Sequence, residues 1–392
     1  MNRIAAVIAG LSLAFVGTSN SQASDVTLHP GDSIQDAINN SSSDDTITLL
    51  AGTFNQSNLN TTGLAITIQG TLNSDGTLAT TIDAQQGGSV FVINSGEDAG
   101  TVIKDLVITG GQNNWSGGGI NCNNNSSPTI TGCTISGNTT DSGGGIACDS
   151  GSSPTITGCT ITDNTATRNG GGILCNDVSN ATITNCTITG NTATGGAFNR
   201  DCGGGGIYCG SDSSPTISGC TSSGNTATDG AYALGGGIYC AGSNPTITNC
   251  TISDNMASDH GGGIDCYLDS NPIITACSFT NNTPDTIHGN FTMGPPESPT
   301  GACCLGGTCI TATESDCTTS DGTYAGDDVA CADAVCPADN TGDVDGDGDV
   351  DTDDLNTLHT DLGICKHDTN HNGVTDIEDL LGIVDGWGTT CQ

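Results

Sequence analysis

The chain has 392 residues, with 43 Asp and Glu against 5 Lys and Arg, which gives a formal net charge of −38. This charge argues against nucleic acid and anionic membrane surfaces as partners, because both would be repelled. Aromatic residues make up 3% of the chain, while Gly (59) and Cys (21) are abundant, so a large core must consist of thin, stacked layers of small side chains.

Residues 1–23 have the pattern of a secretory signal peptide. One positive charge, Arg3, precedes an apolar run from Ile4 to Val16, and a polar stretch ends at Ala23. The apolar run is short for crossing a bilayer, and no later segment is long enough. We therefore predict a protein that is secreted or held at the cell surface without membrane insertion. In that oxidising compartment its cysteines can form disulfides.

One unit recurs six times between residues 115 and 282. It consists of a glycine triplet, Ile-x-Cys, a polar turn, residues like Thr-Ile-Thr, a second Cys, and an Asn five residues later. The first cysteines are separated by 26, 27, 34, 31 and 26 residues, a period that indicates stacked coils. The recurring positions are Cys122, Cys148, Cys175, Cys209, Cys240 and Cys266; Cys133, Cys159, Cys186, Cys220, Cys250 and Cys277; and Asn138, Asn164, Asn191, Asn225, Asn255 and Asn282.

Apolar and polar residues alternate within each unit, and β-branched residues dominate, which predicts short strands separated by Gly and Asn turns. Stacking places each strand about 4.8 Å from its counterpart and aligns identical side chains into ladders. An inward Asn at a turn can satisfy its amide with neighbouring backbone and with the Asn of the next coil.

On these residues the chain resembles the right-handed parallel β-helix, or pectin-lyase-like, superfamily. Residues 33–38 resemble the short capping helix of that superfamily, within a cap at 25–45, and residues 50–54 resemble its first coil. The resemblance implies an all-β solenoid over residues 24–292, with regular repeats at 115–282. Less regular early coils are expected at residues 66–70, 81–84, 90–93 and 102–111.

Thirteen cysteines lie in the solenoid, and twelve of them occupy the ladder positions. These cysteines either form disulfides that link the coils or remain a buried stack of small apolar thiols. Strand geometry decides between the two alternatives. We favour thiols. Cys202 is the additional cysteine, and because 21 is an odd number, at least one cysteine stays unpaired or bonds another chain.

The connection between the Asn and the next glycine triplet varies in length. It has four residues after Asn138, but twelve after Asn191 and nine after Asn225. Long loops on a regular scaffold usually carry function. Stacking is expected to gather the residues of these loops and of their neighbouring coils on one side: Arg168, Phe198, Arg200, Asp201, Asp229, Tyr232, Asp259 and His260.

Two functions are open for this cluster. Tyr208 and Tyr239 occupy outward positions on adjacent coils and, with Tyr232, would bind a sugar ring by stacking. The alternative is a pectin-lyase-like polysaccharide lyase or glycoside hydrolase. We favour a carbohydrate-binding or surface-structural protein of extracellular polysaccharide metabolism, because the residues match no catalytic motif of pectate lyases or polygalacturonases. The weak catalytic candidates are Arg168, Arg200, Asp201, Asp229 and His260.

Residues 293–300 are rich in Pro and predict a linker. Residues 301–336 then hold an even set of six cysteines in a small Gly-rich module, which predicts three disulfides in one of fifteen connectivities. Zinc is the alternative, but the module has no His and the compartment favours oxidation. The six are Cys303, Cys304, Cys309, Cys317, Cys331 and Cys336.

Residues 337–392 contain two loops with oxygen-bearing side chains at positions 1, 3, 5, 9 and 12 and Gly at position 6. This spacing predicts two Ca²⁺ ions, with position 7 contributing a backbone carbonyl, because the carboxylates would otherwise repel one another. A short apolar helix follows each loop. The predicted ligands are Asp343, Asp345, Asp347, Asp349, Asp351 and Asp354, and Asp368, Asn370, Asn372, Val374, Asp376 and Asp379.

These paired loops, which end in Asp and are followed by Leu, resemble the dockerin type I family. The resemblance implies a small α-helical, EF-hand-like domain that docks on a cohesin. The family's partner-reading positions are often small hydroxyl residues, whereas here they are Thr352–Asp353 and Ile377–Glu378, so a cell-envelope protein is the alternative partner. The whole layout resembles proteins exported by planctomycetes.

Overall fold

The computed structural model describes residues 25–195, 202–229, 232–294, 300–305, 308–313, 317–318, 323–327 and 329–331. The chain divides into two compact units, Met1–Pro296 and Glu297–Gln392. The predicted signal peptide and calcium loops lie outside the described residues. Within those ranges, no helix is long and apolar enough to cross a membrane.

Unit 1 is an all-β solenoid of parallel, in-register strands, as the repeat predicts. Three sheets run along it, with 11, 9 and 8 strands in the described residues. Sheet A contains Asp25–Leu28, Thr46–Leu49, Thr67–Gly70, Val102–Lys104, Thr129–Thr131, Thr155–Thr157, Thr182–Thr184, Thr216–Ser218, Thr246–Thr248, Ile273–Thr275 and Thr292–Met293. Sheet B contains Gly52–Asn55, Thr80–Asp83, Val107–Thr109, Thr134–Ser136, Thr160–Thr162, Thr187–Thr189, Thr221–Ser223, Thr251–Ser253 and Ser278–Thr280. Sheet C contains Phe91–Ile93, Ile120–Cys122, Ile146–Cys148, Ile173–Cys175, Ile207–Gly210, Ile238–Ala241, Ile264–Tyr267 and Ile287–His288.

A fourth sheet, sheet D, forms where the sequence predicts loops. Stacked coils offer a backbone partner about 4.8 Å away, so even polar connections pair with their neighbours. Within a coil, the number of residues between one sheet D strand and the next can differ while the coils remain stacked. Sheet D contains Thr139–Ser142, Thr165–Asn169, Thr192–Thr194, Cys202–Gly203, Thr226–Thr228, Ala233–Leu234 and Met256–Ala257.

The core consists of Ile columns enclosed by sheets A, B and C. In sheet A, for example, Ile130 pairs with Ile156, and Ile156 pairs with Ile183, while the flanking Thr residues point outward. All three Ile side chains are fully buried. Removing such a side chain from water contributes about 1.5–3 kcal/mol, so the repeated column replaces the single large core of a globular domain.

A short helix, Ile34–Asn40, lies at the N-terminal end of the solenoid, where the sequence predicts a helix at residues 33–38. Its N-cap Ser33 accepts a hydrogen bond from the backbone N–H of Asp36 through Oγ, at 3.1 Å. Ile34 and Ile38 are buried, so the helix closes the open end of the Ile columns. The early coils that the sequence predicts less regularly also form strands of sheets A, B and C.

The Asn column forms the predicted ladder of buried amides. In each coil the Asn Nδ2 donates to the Oδ1 of the next Asn, at 2.9–3.1 Å from Asn138 to Asn282. The same Nδ2 donates to a carbonyl of the preceding sheet B strand; Asn164, for example, donates to Ile135 at 2.8 Å. The backbone N–H of each Asn also donates to the next Oδ1.

A second polar ladder, of serines before sheet A, escaped the sequence analysis although Ser recurs there in every repeat. Ser126 N–H donates to Ser152 Oγ at 3.0 Å, and Ser152 N–H donates to Ser179 Oγ at 3.1 Å. The ladder begins at the buried Glu97, whose carboxylate accepts from Ser126 Oγ at 2.8 Å. Burial alone would raise the pKa of Glu97, but hydrogen bonds from Ser95, Thr61 and Ser126 outweigh it, and its pKa is lowered.

The twelve ladder cysteines are free thiols, which confirms the favoured alternative. Cys148 pairs in register with Cys122 and Cys175 inside sheet C. At the turn between sheets A and B, each Sγ donates to carbonyls; Cys186, for example, reaches Ile156 O at 3.6 Å and Thr184 O at 3.3 Å. Cys202 is buried and donates to Ala193 O and Thr228 O.

Unit 2 contains a three-stranded antiparallel sheet, formed by Thr300–Leu305, Thr308–Thr313 and Thr323–Asp327. Two disulfides join Cys303 to Cys317 and Cys309 to Cys331, each with a Cα–Cα distance of 5.6 Å. Cys304 is also disulfide-bonded. Oxidised cysteines in this module agree with the disulfide prediction rather than with the zinc alternative.

Candidate functional site

Sheet D aligns one residue from each coil along the side of the solenoid. Ser142 pairs with Asn169, Asn169 with Gly203, and Gly203 with Leu234. Isolated bridges extend the row from Ser116 at one end to His260 at the other. Trp115, Asp141 and Arg168 immediately precede members of this row, and Tyr232 lies two residues before Leu234. We call these four residues the sheet D surface.

The sheet D surface presents two exposed aromatic rings with an ion pair between them. Trp115 is 82% exposed and Tyr232 is 61% exposed. Arg168 Nη1 lies 3.8 Å from Asp141 Oδ2, and Asp141 Oδ1 accepts a hydrogen bond from Thr167 at 2.7 Å. Four strand steps separate the coils of the two rings, a distance of roughly 19 Å. Trp115 and Asp141 were not among the residues that sequence analysis selected.

Of the weak catalytic candidates, the structure describes three. Arg168 pairs with Asp141, Asp229 follows the sheet D strand Thr226–Thr228, and His260 lies at the end of the sheet D row. Asp259 Oδ2 accepts from the backbone N–H of Ala233 at 2.8 Å, which ties this carboxylate to the strand. Phe198, Arg200 and Asp201 lie outside the described residues.

Tyr208 and Tyr239 lie side by side on sheet C but do not form the expected flat platform. They pair in register, yet their ring centroids are 5.5 Å apart with an interplanar angle of 67°, an edge-on arrangement. Tyr239 is only 8% exposed, because Leu234 of sheet D packs over it. Burial raises the pKa of Tyr208, and nearby Arg168 opposes that shift in part. Tyr208 and Tyr239 therefore pack beneath sheet D rather than forming an exposed platform.

The outward row of sheet C ends in a carboxylate and an imidazole. Asp265 follows Tyr239 in the row and pairs in register with His288. Its Oδ2 lies 2.9 Å from His288 Nδ1, with side-chain exposures of 2% for Asp265 and 47% for His288. The ring of His260 stacks on that of His288, with centroids 4.3 Å apart and an interplanar angle of 13°.

Burial raises the pKa of Asp265, and the neighbouring His288 and His260 oppose this shift. His260 is among the candidate residues predicted from the sequence, whereas Asp265 and His288 are not. One signal was available: Asp265 is the charged member of an outward row whose other residues are Asn121, Ala147, Leu174, Tyr208 and Tyr239.

The part of the chain that the structure describes contains no group of three or more His, Cys, Asp or Glu side chains that could hold a metal ion. The predicted calcium ligands between Asp343 and Asp379 lie outside it.

A family model described as the right-handed β-helix region matches residues 37–200 and 196–323. Among solved structures, the pectate lyase Pel9A is similar, with 13% identity, a TM-score of 0.44, and coverage of 71% of this chain and 82% of that chain. A pectin methylesterase from Aspergillus niger is similar with 12% identity, a TM-score of 0.41, and coverage of 69% and 90%.

Likeness to solved structures at this level gives no information about what this chain binds or converts. No curated protein matches the sequence. The family match, by contrast, covers well over half of the chain and agrees with the parallel, in-register coils. The chain therefore belongs to the right-handed β-helix family.

Proposed function

We propose that the chain is a secreted carbohydrate-binding protein, and that its solenoid binds a neutral polysaccharide along the sheet D surface. The observation that carries this proposal is the pair of exposed aromatic rings, Trp115 and Tyr232, on one side of the solenoid. Aromatic faces stack on the apolar faces of sugar rings. Arg168 and Asp141, between the two rings, offer a donor and an acceptor for sugar hydroxyl groups.

The charge of the chain supports a neutral partner. A net charge of −38 repels polyuronates, which would need bridging cations to bind. A neutral polysaccharide meets no such barrier. An extended polysaccharide chain can follow a surface that is built from successive coils along the solenoid axis.

We further propose that residues 337–392 bind two Ca²⁺ ions and attach the protein to a cohesin-like or cell-envelope protein. The doubled spacing of oxygen-bearing residues, with Gly348 and Gly373 at the sharp turns, supports this proposal. Attachment at one end would leave the solenoid free to hold polysaccharide. The signal-peptide pattern of residues 1–23 is consistent with such an extracellular role.

The sheet D surface is tested by measuring affinity for a panel of neutral plant and algal polysaccharides, by affinity electrophoresis and calorimetry. Trp115→Ala and Tyr232→Ala are each expected to weaken binding roughly 5- to 30-fold, because one stacked ring contributes about 1–2 kcal/mol. The matched control is Tyr267→Ala. Tyr267 is 54% exposed and is the last residue of the sheet C strand Ile264–Tyr267, so it is not part of the sheet D surface.

Equal losses for the control and for the two sheet D variants would contradict the assignment of the surface. An absence of binding across the whole panel would contradict the proposed function itself. Release of reducing ends from the bound polysaccharide would replace it with the alternative of a glycoside hydrolase, and unsaturated products from a polyuronate would replace it with the alternative of a lyase.

A further inference from the structure

The Asp265–His288 pair is an unusual feature of the scaffold. Elsewhere in the same row the described coils carry uncharged side chains, whereas Asp265 is a carboxylate with 2% of its side chain exposed. Burying a carboxylate costs free energy unless a partner compensates for it, and His288 is that partner. A buried acid held against a half-exposed imidazole is typical of functional sites, where such costs are retained.

The geometry fixes the imidazole of His288 on two sides. Because a carboxylate accepts hydrogen bonds, Asp265 Oδ2 holds the tautomer with hydrogen on Nδ1 and leaves the lone pair on Nε2. The stacked ring of His260 restricts rotation about the side-chain bonds of His288. A carboxylate that orients a histidine in this way supports a general base, since it also stabilises the imidazolium that forms.

The pair lies beside the sheet D surface. His260 forms a bridge with Leu234, two residues after Tyr232. The other acidic groups nearby are tied to the scaffold: Asp285 accepts from Gly261 N–H at 2.5 Å, and Asp259 accepts from Ala233 N–H. A polysaccharide that follows the sheet D surface would therefore pass the half-exposed imidazole of His288, near the C-terminal end of the solenoid.

We propose that His288 is a general base for hydrolysis of ester substituents on the bound neutral polysaccharide, with Asp265 as its positioning residue. The polysaccharide as substrate rests on the proposed function, whereas the assignment of His288 as a general base does not. A water molecule gives a proton to His288 Nε2 while its oxygen attacks the ester carbonyl. The tetrahedral intermediate then collapses, the bond to the sugar oxygen breaks, and that oxygen takes the proton back from His288. The products are a carboxylic acid and a sugar hydroxyl.

Ester hydrolysis fits this site better than cleavage of the sugar chain. Glycosidases use a pair of carboxyl groups on either side of the scissile bond, whereas here one carboxylate is engaged by the imidazole. An activated water and a returned proton are sufficient for an ester, and one positioned base contributes about 10²- to 10⁴-fold in rate.

The test measures release of acetate from acetylated neutral polysaccharide, and hydrolysis of the small chromogenic ester p-nitrophenyl acetate, by the full chain. His288→Gln is expected to lower kcat/KM for both at least 100-fold. The matched control is His29→Gln, which removes an imidazole from an exposed His–Asp pair with a separation of 3.8 Å. His29→Gln is expected to leave both rates unchanged.

Asp265→Asn tests the positioning role. The amide no longer stabilises the imidazolium, so kcat should fall with KM little changed. Circular dichroism checks that this variant is folded, and Asp265→Glu, which keeps a carboxylate but displaces it from His288, is the second variant and should also lower kcat. An unchanged kcat in a folded variant, or a change in KM alone, would overturn the role of Asp265.

Failure of this inference is distinguishable from failure of the proposed function. If the protein binds polysaccharide but His288→Gln hydrolyses both esters as fast as the unmodified chain, the general base is wrong and the binding surface stands. If p-nitrophenyl acetate hydrolysis depends on His288 but no polysaccharide is bound or deacetylated, the base stands and the proposed substrate is wrong.

Discussion

At the scale of single residues, buried polar ladders give each coil its register. Asn191 illustrates the dependence: its Oδ1 accepts from both the N–H and the Nδ2 of Asn164, and its own Nδ2 reaches Ile161 O at 2.9 Å. A hydrophobic residue of similar size could fill the volume but would satisfy none of these groups. A coil displaced by one residue would break every one of these bonds.

Asn191→Ala is therefore expected to lower the free energy of unfolding by about 2–4 kcal/mol, because it leaves buried donors and an acceptor without partners. Urea unfolding followed by circular dichroism measures the change. The control is Asn40→Ala at the exposed end of the capping helix, where the amide bonds only Asp36 O. Similar losses at both positions would contradict the stabilising role of the ladder.

Because of the thiol column, the free energy of unfolding should decrease at alkaline pH. The hydrogen bond between Cys159 and Cys186, together with burial, raises the pKa of Cys186 to about 12, and similar contacts raise the pKa of Cys220 and Cys250 to about 11. In the unfolded chain these thiols ionise near their ordinary pKa, about 8.5. Their contribution is fully present below that pH and is lost as pH rises towards 11 or 12.

Between pH 9 and 11 the free energy of unfolding should therefore fall by about 1.4 kcal/mol per pH unit for each thiol that ionises only on unfolding. Urea titrations at successive pH values measure this slope. Cys186→Ala should reduce the slope, while Ser57→Ala on the surface should not. Rapid alkylation of the native ladder thiols at pH 9 would contradict the raised pKa values.

At the scale of elements, the glycine triplets between sheets D and C set how closely successive coils approach. A Cβ on Gly171 would lie 2.5 Å from the carbonyl oxygens of both Gly205 and Thr192. Both oxygens belong to the backbone of the next coil, which cannot move away without breaking hydrogen bonds between the coils. Close contact between coils, rather than flexibility, explains the triplet at this position.

Gly171→Ala is expected to cost about 3 kcal/mol of stability through this overlap. Gly158→Ala is the matched control: Gly158 has a φ of +61° but nothing within 4 Å of an added Cβ, so only the strain of a left-handed residue, about 1 kcal/mol, should be lost. Thermal unfolding of the two variants measures the difference. Equal losses would show that conformational strain, not contact, explains the triplet.

At the scale of the whole molecule, two units with different sources of stability share one chain. The solenoid depends on stacked coils and free thiols, whereas unit 2 contains disulfides and the predicted calcium loops. The oxygen-bearing residues spaced as calcium ligands lie in residues 337–392, so we expect calcium to act at the C-terminal end.

Removal of calcium with a chelator is expected to unfold residues 337–392, because the carboxylates of each loop then repel one another. Limited proteolysis should show new cleavage only beyond residue 336, while the β signal in circular dichroism stays unchanged. Asp343→Ala combined with Asp368→Ala should reproduce the effect without chelator, and Asp75→Ala on the solenoid should not. An unchanged proteolysis pattern would remove the metal proposal.

The sequence by itself determined the coils, their inward Ile columns and the Asn ladder. Each followed because identical residues at a near-constant spacing must stack when the strands pair in parallel. The capping helix was also predictable, since Ser33 and the buried Ile34 and Ile38 form a local pattern. These features depend on neighbours in sequence or on exact repetition.

The tertiary structure alone decided the candidate site. Strands of sheet D form where the sequence predicts loops. Arg168 forms an ion pair with Asp141, and Leu234 of sheet D packs on Tyr239. The cluster of Asp265, His288 and His260 arises from the last two coils of sheet C, with His260 and Asp265 in one coil and His288 in the next. These contacts join residues of different strands, and the pairs Arg168–Asp141 and His288–Asp265 join different coils. The repeat leaves their relative positions open until the backbone pairs.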